Sequence, residues 1–496
     1  MYVDPVARIQ AQDESVYGSI SLEMAKNGDW LTPRFLDRYV LYKPPLLYWF
    51  EAAAVKMLGR IRIALRLPSI LAGAATVTLV FAWLLAGNAP LAAAAAGAML
   101  LLSNPLFFVL SRIGLTDALL TFWTVLAMFA LARDPRLASR AGLWTFGIAS
   151  GAAMLTKGIA GLFALLALAV FCVISRERPA WRRLAAAVAI SAAVAAPWYL
   201  YQLVRHTRWF WAEYVLTEVL TNSVGSPVQS TQESHVGYYL KRLIALDAPL
   251  FAAALIALTR KRPRVLLAWL AVVLAAELSF EYRNTSYLLP VFPALALLVG
   301  GAIPRDWAKW VLALAVALFA AKTLAPAATW GIPFKAESVI AVEPVLDRYA
   351  AMQRGNELIL GDPDDGFSSA CLDLPKVRYL FLDASYQRRT YALDFDYLGV
   401  VVTASDFARL PEVGAQALRP QFEQRLRDWG LDHGDPIATV ILAPTLGQIQ
   451  ALVHDHPGSD FLLPVEWAAN DAGVHEILPI GDGKELLLSR EVVHRP

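Results

Sequence analysis

The chain has 496 residues, 57% of them hydrophobic and 17% charged, with a net charge of +2 and a mean hydropathy of +0.47. Soluble domains run nearer ~45–50% apolar and ~25% charged, so this balance points to lipid and excludes an ordinary water-soluble globule. The small net charge excludes a nucleic-acid partner, and the two cysteines, Cys172 in an apolar run and Cys371 in a polar tail, offer neither a disulfide nor a thiolate metal site.

Residues 1–30 contain Asp4, Asp13, Glu14, Glu23 and Asp29 and no apolar core, so no cleavable signal peptide is read there. Residues 31–64 are interrupted by Asp37, Arg38, Lys43, Glu51, Lys56 and Arg60 and are not a span. From Pro44 to Leu58 they show a helical apolar face, and Tyr48 and Trp49 suit a membrane interface. The expectation is an amphipathic helix lying on the outer surface.

Ten apolar runs follow, at about 65–87, 91–110, 115–132, 141–156, 158–174, 184–203, 243–259, 265–280, 285–302 and 310–329. Most approach the ~17–25 residues a helix needs to cross ~30 Å of hydrocarbon. Lys157-Gly158 divides the fourth run from the fifth. Two spans with a tight turn fit better than one long helix, because a lysine in mid-membrane costs ~2.5–3.5 kcal/mol.

Arginine and lysine in short loops set the orientation. Arg133, Arg136 and Arg140 lie in one loop; Arg176, Arg178, Arg182 and Arg183 in a second; Arg260, Lys261, Arg262 and Arg264 in a third; Arg305 and Lys309 in a fourth. These loops alternate along the chain, which assigns all of them to the cytoplasm. The first loop, Asp117, Lys157, residues 204–242 and 281–284 and the whole tail are then periplasmic.

From about residue 331 the composition changes sharply. Short β-rich runs (ELILGD, VRYLFLD, YLGVVVTA, ATVILAP, DFLLPV) alternate with helix-like pieces at 406–429 and 446–455, which predicts a soluble α/β domain. The expected fold is therefore a multi-pass α-helical membrane protein in three parts. These are a periplasmic first loop (1–64), a transmembrane domain (65–330) and a periplasmic α/β domain (331–496). GDPDDG at 361–366 lacks EF-hand spacing and reads as a solvated turn rather than a calcium loop.

The expected outer side collects polar residues next to membrane: Asp13, Glu14 and Tyr17, then Lys43 before two prolines, Asp117, Lys157, His235, Arg283 and Tyr287. Lys43 is pushed extended by Pro44, which holds its ammonium at the mouth of the amphipathic helix. Cations beside carboxylates at one membrane face suit a phosphorylated lipid and a base. Lysine and arginine neutralise a departing phosphate, and a carboxylate deprotonates an acceptor hydroxyl, worth ~10²–10⁴ in rate. Each residue also has a plainer reading. Asp117 fits a helix N-cap, Lys157 a snorkelling lysine, Asp13 a solvated acid near a frayed terminus, His235 a packed surface histidine, and Glu218 a water-facing residue.

The stretch DESVYGSISLEMAKNGDWLTPRFLDRYVLYKPPLLYW resembles the first outer loop of bacterial glycosyltransferases related to lipid A aminoarabinose transferase and protein O-mannosyltransferase. These share the GT-C membrane fold. ALRLPS, SRIGLTDALLTF, LTKGIAG, APWY, SHVGYYL and YLLPVFPALALL are similar to the later landmarks of that family, in order, so the resemblance covers about 1–300. It implies inverting transfer of a sugar from a polyprenyl-phosphate donor, among membrane lipids, to a glycolipid, glycan or protein acceptor on the outer face of the inner membrane. It implies Asp13 as the base, Asp117 as the second motif acid, Lys43 on the donor phosphate, and Arg283 and Tyr287 near it. His235 falls where some relatives have a metal-associated histidine, so the cofactor expectation is none certain, with a divalent metal at His235 left open.

Three departures qualify the resemblance. Val16 stands where aminoarabinose enzymes carry arginine, and Tyr42 where some relatives carry the glutamate that would partner a metal. Relatives also have a span before the DE motif, where this chain has a dozen residues, and Arg60, Arg62 and Arg66 oppose export of the first loop without it. A start codon set too late is the expected explanation. A transporter of a lipid-linked or anionic substrate is the alternative, which predicts broken helices and ionisable residues in mid-membrane; Glu277 and Asp247 are read as lying near span ends. A non-catalytic relative is the third.

Overall fold

A computed structural model describes residues 12–35, 38–59, 61–211, 214–215, 218–219, 234–260, 263–280, 283–324, 358–361, 377–382, 441–442, 458, 460–464, 475–481 and 484–489. The chain divides into two compact units, one of 1–7, 42–205 and 218–333, the other of 8–41, 206–217 and 334–496.

The first unit is helical. In chain order, after α1 (Gln12–Asn27) of the other unit, come α2 (Leu46–Leu58), α3 (Ile61–Ala86), α4 (Leu91–Ser103), α5 (Pro105–Leu110), α6 (Thr116–Arg133), α7 (Arg140–Lys157), α8 (Phe163–Ile174) and α9 (Trp181–Arg205). A short α10 (Thr207–Phe210) belongs to the second unit, and α11 (His235–Arg260), α12 (Arg264–Ser279), α13 (Val291–Ala302) and α14 (Ala308–Leu324) complete the first. Among the described residues six stretches are long and apolar enough to cross a membrane, beginning at Arg62, Thr116, Arg140, Trp181, His235 and Thr285. Apolar sequence of this length must satisfy its backbone internally in lipid, which is why helices form throughout.

Each expected apolar run is mainly helical over its described residues, and three places show how the helices break or extend. The run at 91–110 breaks at Asn104, whose side chain accepts from the Phe107 N–H at 3.0 Å and caps α5. The lysine break is real: α7 ends at Lys157, and Gly158 takes φ +55°, ψ −121°, a backbone state that side chains disfavour. A 3₁₀ turn, Gly158–Leu162, then leads into α8. The run at 243–259 is the inner part of a longer helix. Asp247 therefore sits in mid-helix, at non-helical φ −162°, ψ 66°, two residues before Pro249, and not near an end as the run lengths suggested. The proline removes an N–H and crowds the preceding turn. Asp247 restores order: Oδ1 accepts from the Leu250 N–H at 3.2 Å and Oδ2 from Asn104 at 3.3 Å, tying two helix breaks together.

Helix α2 forms as expected, but Tyr48 and Glu51 are fully buried rather than set at a water boundary. In the core, α6 packs on both α3 and α7, α7 on α9, α4 on α14 and α13, and α8 on α12. Trp83 and Trp269 stack with ring centroids 6.5 Å apart, joining α3 to α12.

In the second unit, α1 precedes a two-residue ladder, β1 (Arg34–Phe35) with antiparallel β2 (Arg38–Tyr39). The tail forms a six-stranded mixed sheet from β3 (Leu358–Gly361), β4 (Val377–Leu382), β5 (Ile441–Leu442), β6 (Asp460–Pro464), β7 (His475–Gly481) and β8 (Lys484–Ser489), ordered β5-β4-β3-β6-β8-β7. Pairings from β5 to β6 are parallel, and those among β6, β8 and β7 antiparallel. Four of the expected β runs are strands, and the β7–β8 hairpin is additional. YLGVVVTA, the pieces at 406–429 and 446–455, Cys371 and Asp362 to Gly366 lie outside the described residues.

Candidate active site

The helical unit contains an open pocket lined by three carboxylates, Asp117, Glu218 and Glu277, together with Lys157, Tyr287 and apolar residues that include Phe163 and Phe280. Its polar members come from segments far apart in sequence, and each is fixed by its own device.

Asp117 lies in the first turn of α6 and is 6% exposed. The turn before it is pinned to α3, where Ser69 of the RLPS stretch donates to the Leu115 carbonyl at 3.2 Å. Gly73, one helical turn on, lets Ser111 approach: a Cβ there would stand 2.5 Å from that of Ser111. Asp117 is not an N-cap, since Leu115 holds that position with no side-chain bond. Its Oδ1 instead accepts from Lys157 Nζ at 2.8 Å.

Lys157 ends α7, and Tyr199 of the APWY stretch secures that end by donating to the Met154 carbonyl at 2.8 Å. The ammonium also stands 4.3 Å from the centre of the Tyr287 ring, a cation–π contact. Lys157 therefore turns inward instead of snorkelling. Tyr287 sits on a 3₁₀ turn, Thr285–Leu288, capped by the Asn284 side chain. Tyr238 shares a hydrogen bond of 3.3 Å with Thr285, and its neighbour Tyr239 donates to Glu277 Oε2 at 3.0 Å. The SHVGYYL stretch thus supports two sides of the same pocket.

Lys43 is ion-paired with Glu218, a residue that sequence reasoning left facing water. Glu277, read as merely near a span end, lies 3% exposed in the pocket wall. An acidic residue in the last turn of an apolar helix was the available signal for Glu277. Glu218 gave none, because its partner is 175 positions away.

The other candidates are placed as follows. Arg283 is half-buried, four residues before Tyr287. Asp13, Glu14 and Tyr17 lie on α1 in the second unit, Asp13 exposed and the other two buried. His235 opens α11, half-buried. No group of three His, Cys, Asp or Glu side chains suited to a metal occurs among the described residues.

Comparison with known proteins places these features. The family described as dolichyl-phosphate-mannose-protein mannosyltransferase matches residues 9–211. The undecaprenyl phosphate-alpha-4-amino-4-deoxy-L-arabinose arabinosyl transferase of Aeromonas salmonicida is 27% identical over 309 residues, 58% of this chain and 55% of that protein. Its namesake from Pseudomonas savastanoi pv. phaseolicola is 30% identical over 311 residues, 59% and 56% of the two chains. The chain thus spans little more than half the length of the curated relatives it matches. The crystal structure of ArnT from Cupriavidus metallidurans bound to undecaprenyl phosphate superposes with a TM-score of 0.68 over 97% of this chain and 94% of that one, at 18% identity. The apo form of the same protein gives 0.60. The resemblance carried by the first loop is borne out: the chain is akin to the aminoarabinose transferase and protein mannosyltransferase group, and its fold is that of a multi-pass GT-C membrane protein.

Proposed function

From this kinship with GT-C glycosyltransferases, we propose that the chain is an inverting glycosyltransferase that moves a sugar from a polyprenyl-phosphate donor to a hydroxyl or phosphate acceptor. The observation that carries the reading is the Asp117–Lys157 pair beneath Tyr287, since five separate family-like stretches (RLPS, LTDALL, LTKGIAG, APWY and SHVGYYL) are each spent on building that one pocket.

The chemistry follows from charge. The leaving group is a phosphate ester, so cations must meet developing negative charge. Lys157, Lys43 and Arg283 supply them, Asp117 aims Lys157, and Tyr287 offers a ring face and a hydroxyl. Asp13 takes the acceptor proton. Undecaprenyl phosphate, named for the structural relative, is the carrier to try first. Lipid A, a surface glycan and a protein hydroxyl are the acceptor classes.

The same reading sets the topology. On a ten-span count, both termini and the pocket would lie on the periplasmic face of the inner membrane, with the three-part division at 64 and 330. Exposed Trp144, Trp181, Trp307 and Trp310 cluster by the arginine-rich loops, as an interfacial belt on the cytoplasmic side would. Asp247 in mid-helix, with the helix break at Asn104, is a feature a transporter would share. Its carboxylate is already used by Leu250 and Asn104, which suits a structural cap better than a relay.

The test is incubation of membranes with radiolabelled polyprenyl-phosphate sugars. Release of free carrier phosphate with label moved to an acceptor is expected, and Asp13→Asn should abolish it while the protein stays inserted. Movement of intact donor across the bilayer without cleavage would support the transporter, and neither outcome a non-catalytic relative. Full turnover in Asp13→Asn would remove the base assignment.

A further inference from the structure

The reaction as proposed leaves one pocket residue without a task. Glu277 is 3% exposed, lies in the last turn of α12 and lines the pocket. Among the described residues it makes one hydrogen bond, from the Tyr239 hydroxyl to Oε2 at 3.0 Å. Tyr239 is itself 3% exposed, so the pair is held on both sides. A carboxylate has about four acceptor positions, and Tyr239 fills one. A desolvated charged acceptor short of donors is costly, so a carboxylate set at a pocket wall is suited to receive one.

Among the described residues, the two lysines of this region are committed elsewhere. Lys157 is engaged by Asp117 at 2.8 Å and by the Tyr287 ring, and Lys43 by Glu218. The donor must come from the occupant of the pocket. It is not the phosphate, which Glu277 would repel and which Lys157 in the same pocket would take. The remaining part of a polyprenyl-phosphate sugar is the sugar.

We propose that Glu277, oriented by Tyr239, determines specificity by accepting a hydrogen bond from a hydroxyl or ammonium group of the transferred sugar. This rests on the reading of the pocket as the donor site. A site built to hydrogen-bond a substrate group rejects analogues lacking it by as much as ~10⁴–10⁵, whereas an apolar wall discriminates only weakly. Tyr239 acts through Glu277 and is a positioning residue.

The experiment uses the full chain in liposomes with two donors, an undecaprenyl-phosphate 4-amino-pentose and an undecaprenyl-phosphate hexose, and reads the ratio of their kcat/KM values. Glu277→Leu should change that ratio by about tenfold or more, mainly through the KM of the preferred donor. Tyr239→Phe should shift it in the same direction by less. Glu277→Gln separates the two chemistries: it should behave like Leu if the partner is an ammonium, and keep most of the preference if it is a hydroxyl. Binding of undecaprenyl phosphate alone should be unchanged in all three, which also reports on folding. An unchanged ratio in Glu277→Leu, or an equal fall for both donors, overturns the inference while leaving the glycosyltransferase reading intact. A wild-type chain inert towards every donor overturns both.

Discussion

Helix α6 carries an aspartate at each end, and the two have opposite fates. Asp117, in the first turn, is buried and reaches a lysine forty residues away. Asp134, just past the last residue, folds back on its own loop, where Oδ2 accepts from the Ser139 N–H and hydroxyl, both at 2.8 Å. At ~1.5 Å per residue the two are separated by roughly 25 Å. The charges around them differ in the same way. Near Asp134, Arg133, Arg136 and Arg140 are exposed. At the other end Asp117, Lys157 and Glu277 are turned into one pocket. Exposed charge at a membrane boundary orients a protein; charge that is buried and paired across helices is positioned for chemistry.

Breaking the Asp117–Lys157 pair should give the largest effect. Lys157→Met leaves Asp117 buried without its cation, a loss of ~3–5 kcal/mol in a desolvated setting, and should abolish sugar transfer. Adding Asp117→Leu should recover much of the melting temperature and none of the transfer. Recovery of both would mean the pair is only a brace, and the contrast between the two ends of α6 would fail. Next comes the clamp between helix breaks. Asp247→Leu removes the cap of the kink and orphans the Asn104 amide, so a loss of ~1–3 kcal/mol is expected in detergent melts. Asn104→Ala removes the same clamp and also the cap of α5, so it should cost a similar amount although Asp247 keeps the Leu250 N–H. No loss from Asp247→Leu would show that the clamp does not matter.

Glu218→Gln tests whether Lys43 serves an anion. The substitution keeps the shape and removes the charge that competes with phosphate, so undecaprenyl phosphate should bind several-fold tighter, about 1 kcal/mol, by a titration that reports Kd. Weaker binding would mean that Glu218 holds Lys43 in its working position.

Much of this was readable from residues, and the failures have physical causes. Every apolar run is a helix because length and composition alone decide that in lipid. The break at Lys157-Gly158 was legible because a lysine and a glycine interrupt the same run. The status of Asp247 was not: a span was counted from its apolar residues, and the polar first turns of α11, His235 to Arg242, were left out, so a mid-helix kink looked like an end. Asp117, Lys157 and Tyr287 are legible as polar residues beside the membrane on the expected outer side, yet their contact is tertiary and no spacing encodes it. Glu218 is not legible, because nothing local marks a carboxylate as paired when its partner is 175 positions away, and Glu277 is marked only as an acid in the last turn of an apolar helix.

The smallest expected effect belongs to Asp134. Burial alone would raise its carboxyl, but hydrogen bonds from the backbone and hydroxyl of Ser139 and the backbone of Ala138 and Arg136 outweigh that and hold it below the ordinary value. A carboxyl depressed in the folded state contributes stability that is fully present above ~pH 4 and is lost as pH falls through the lower folded value. The site is largely exposed, so the contribution is discounted to ~1 kcal/mol at most. Asp134→Ala should therefore lower the melting temperature by about a degree or two at pH 7, leave sugar transfer unchanged, and converge on the wild type as pH falls below that depressed folded value. A gap that widens in acid would mean the carboxylate is not what those donors stabilise. A loss of transfer at pH 7 would mean that the two ends of α6 are coupled, because only a displacement carried along the helix could reach Asp117 from there.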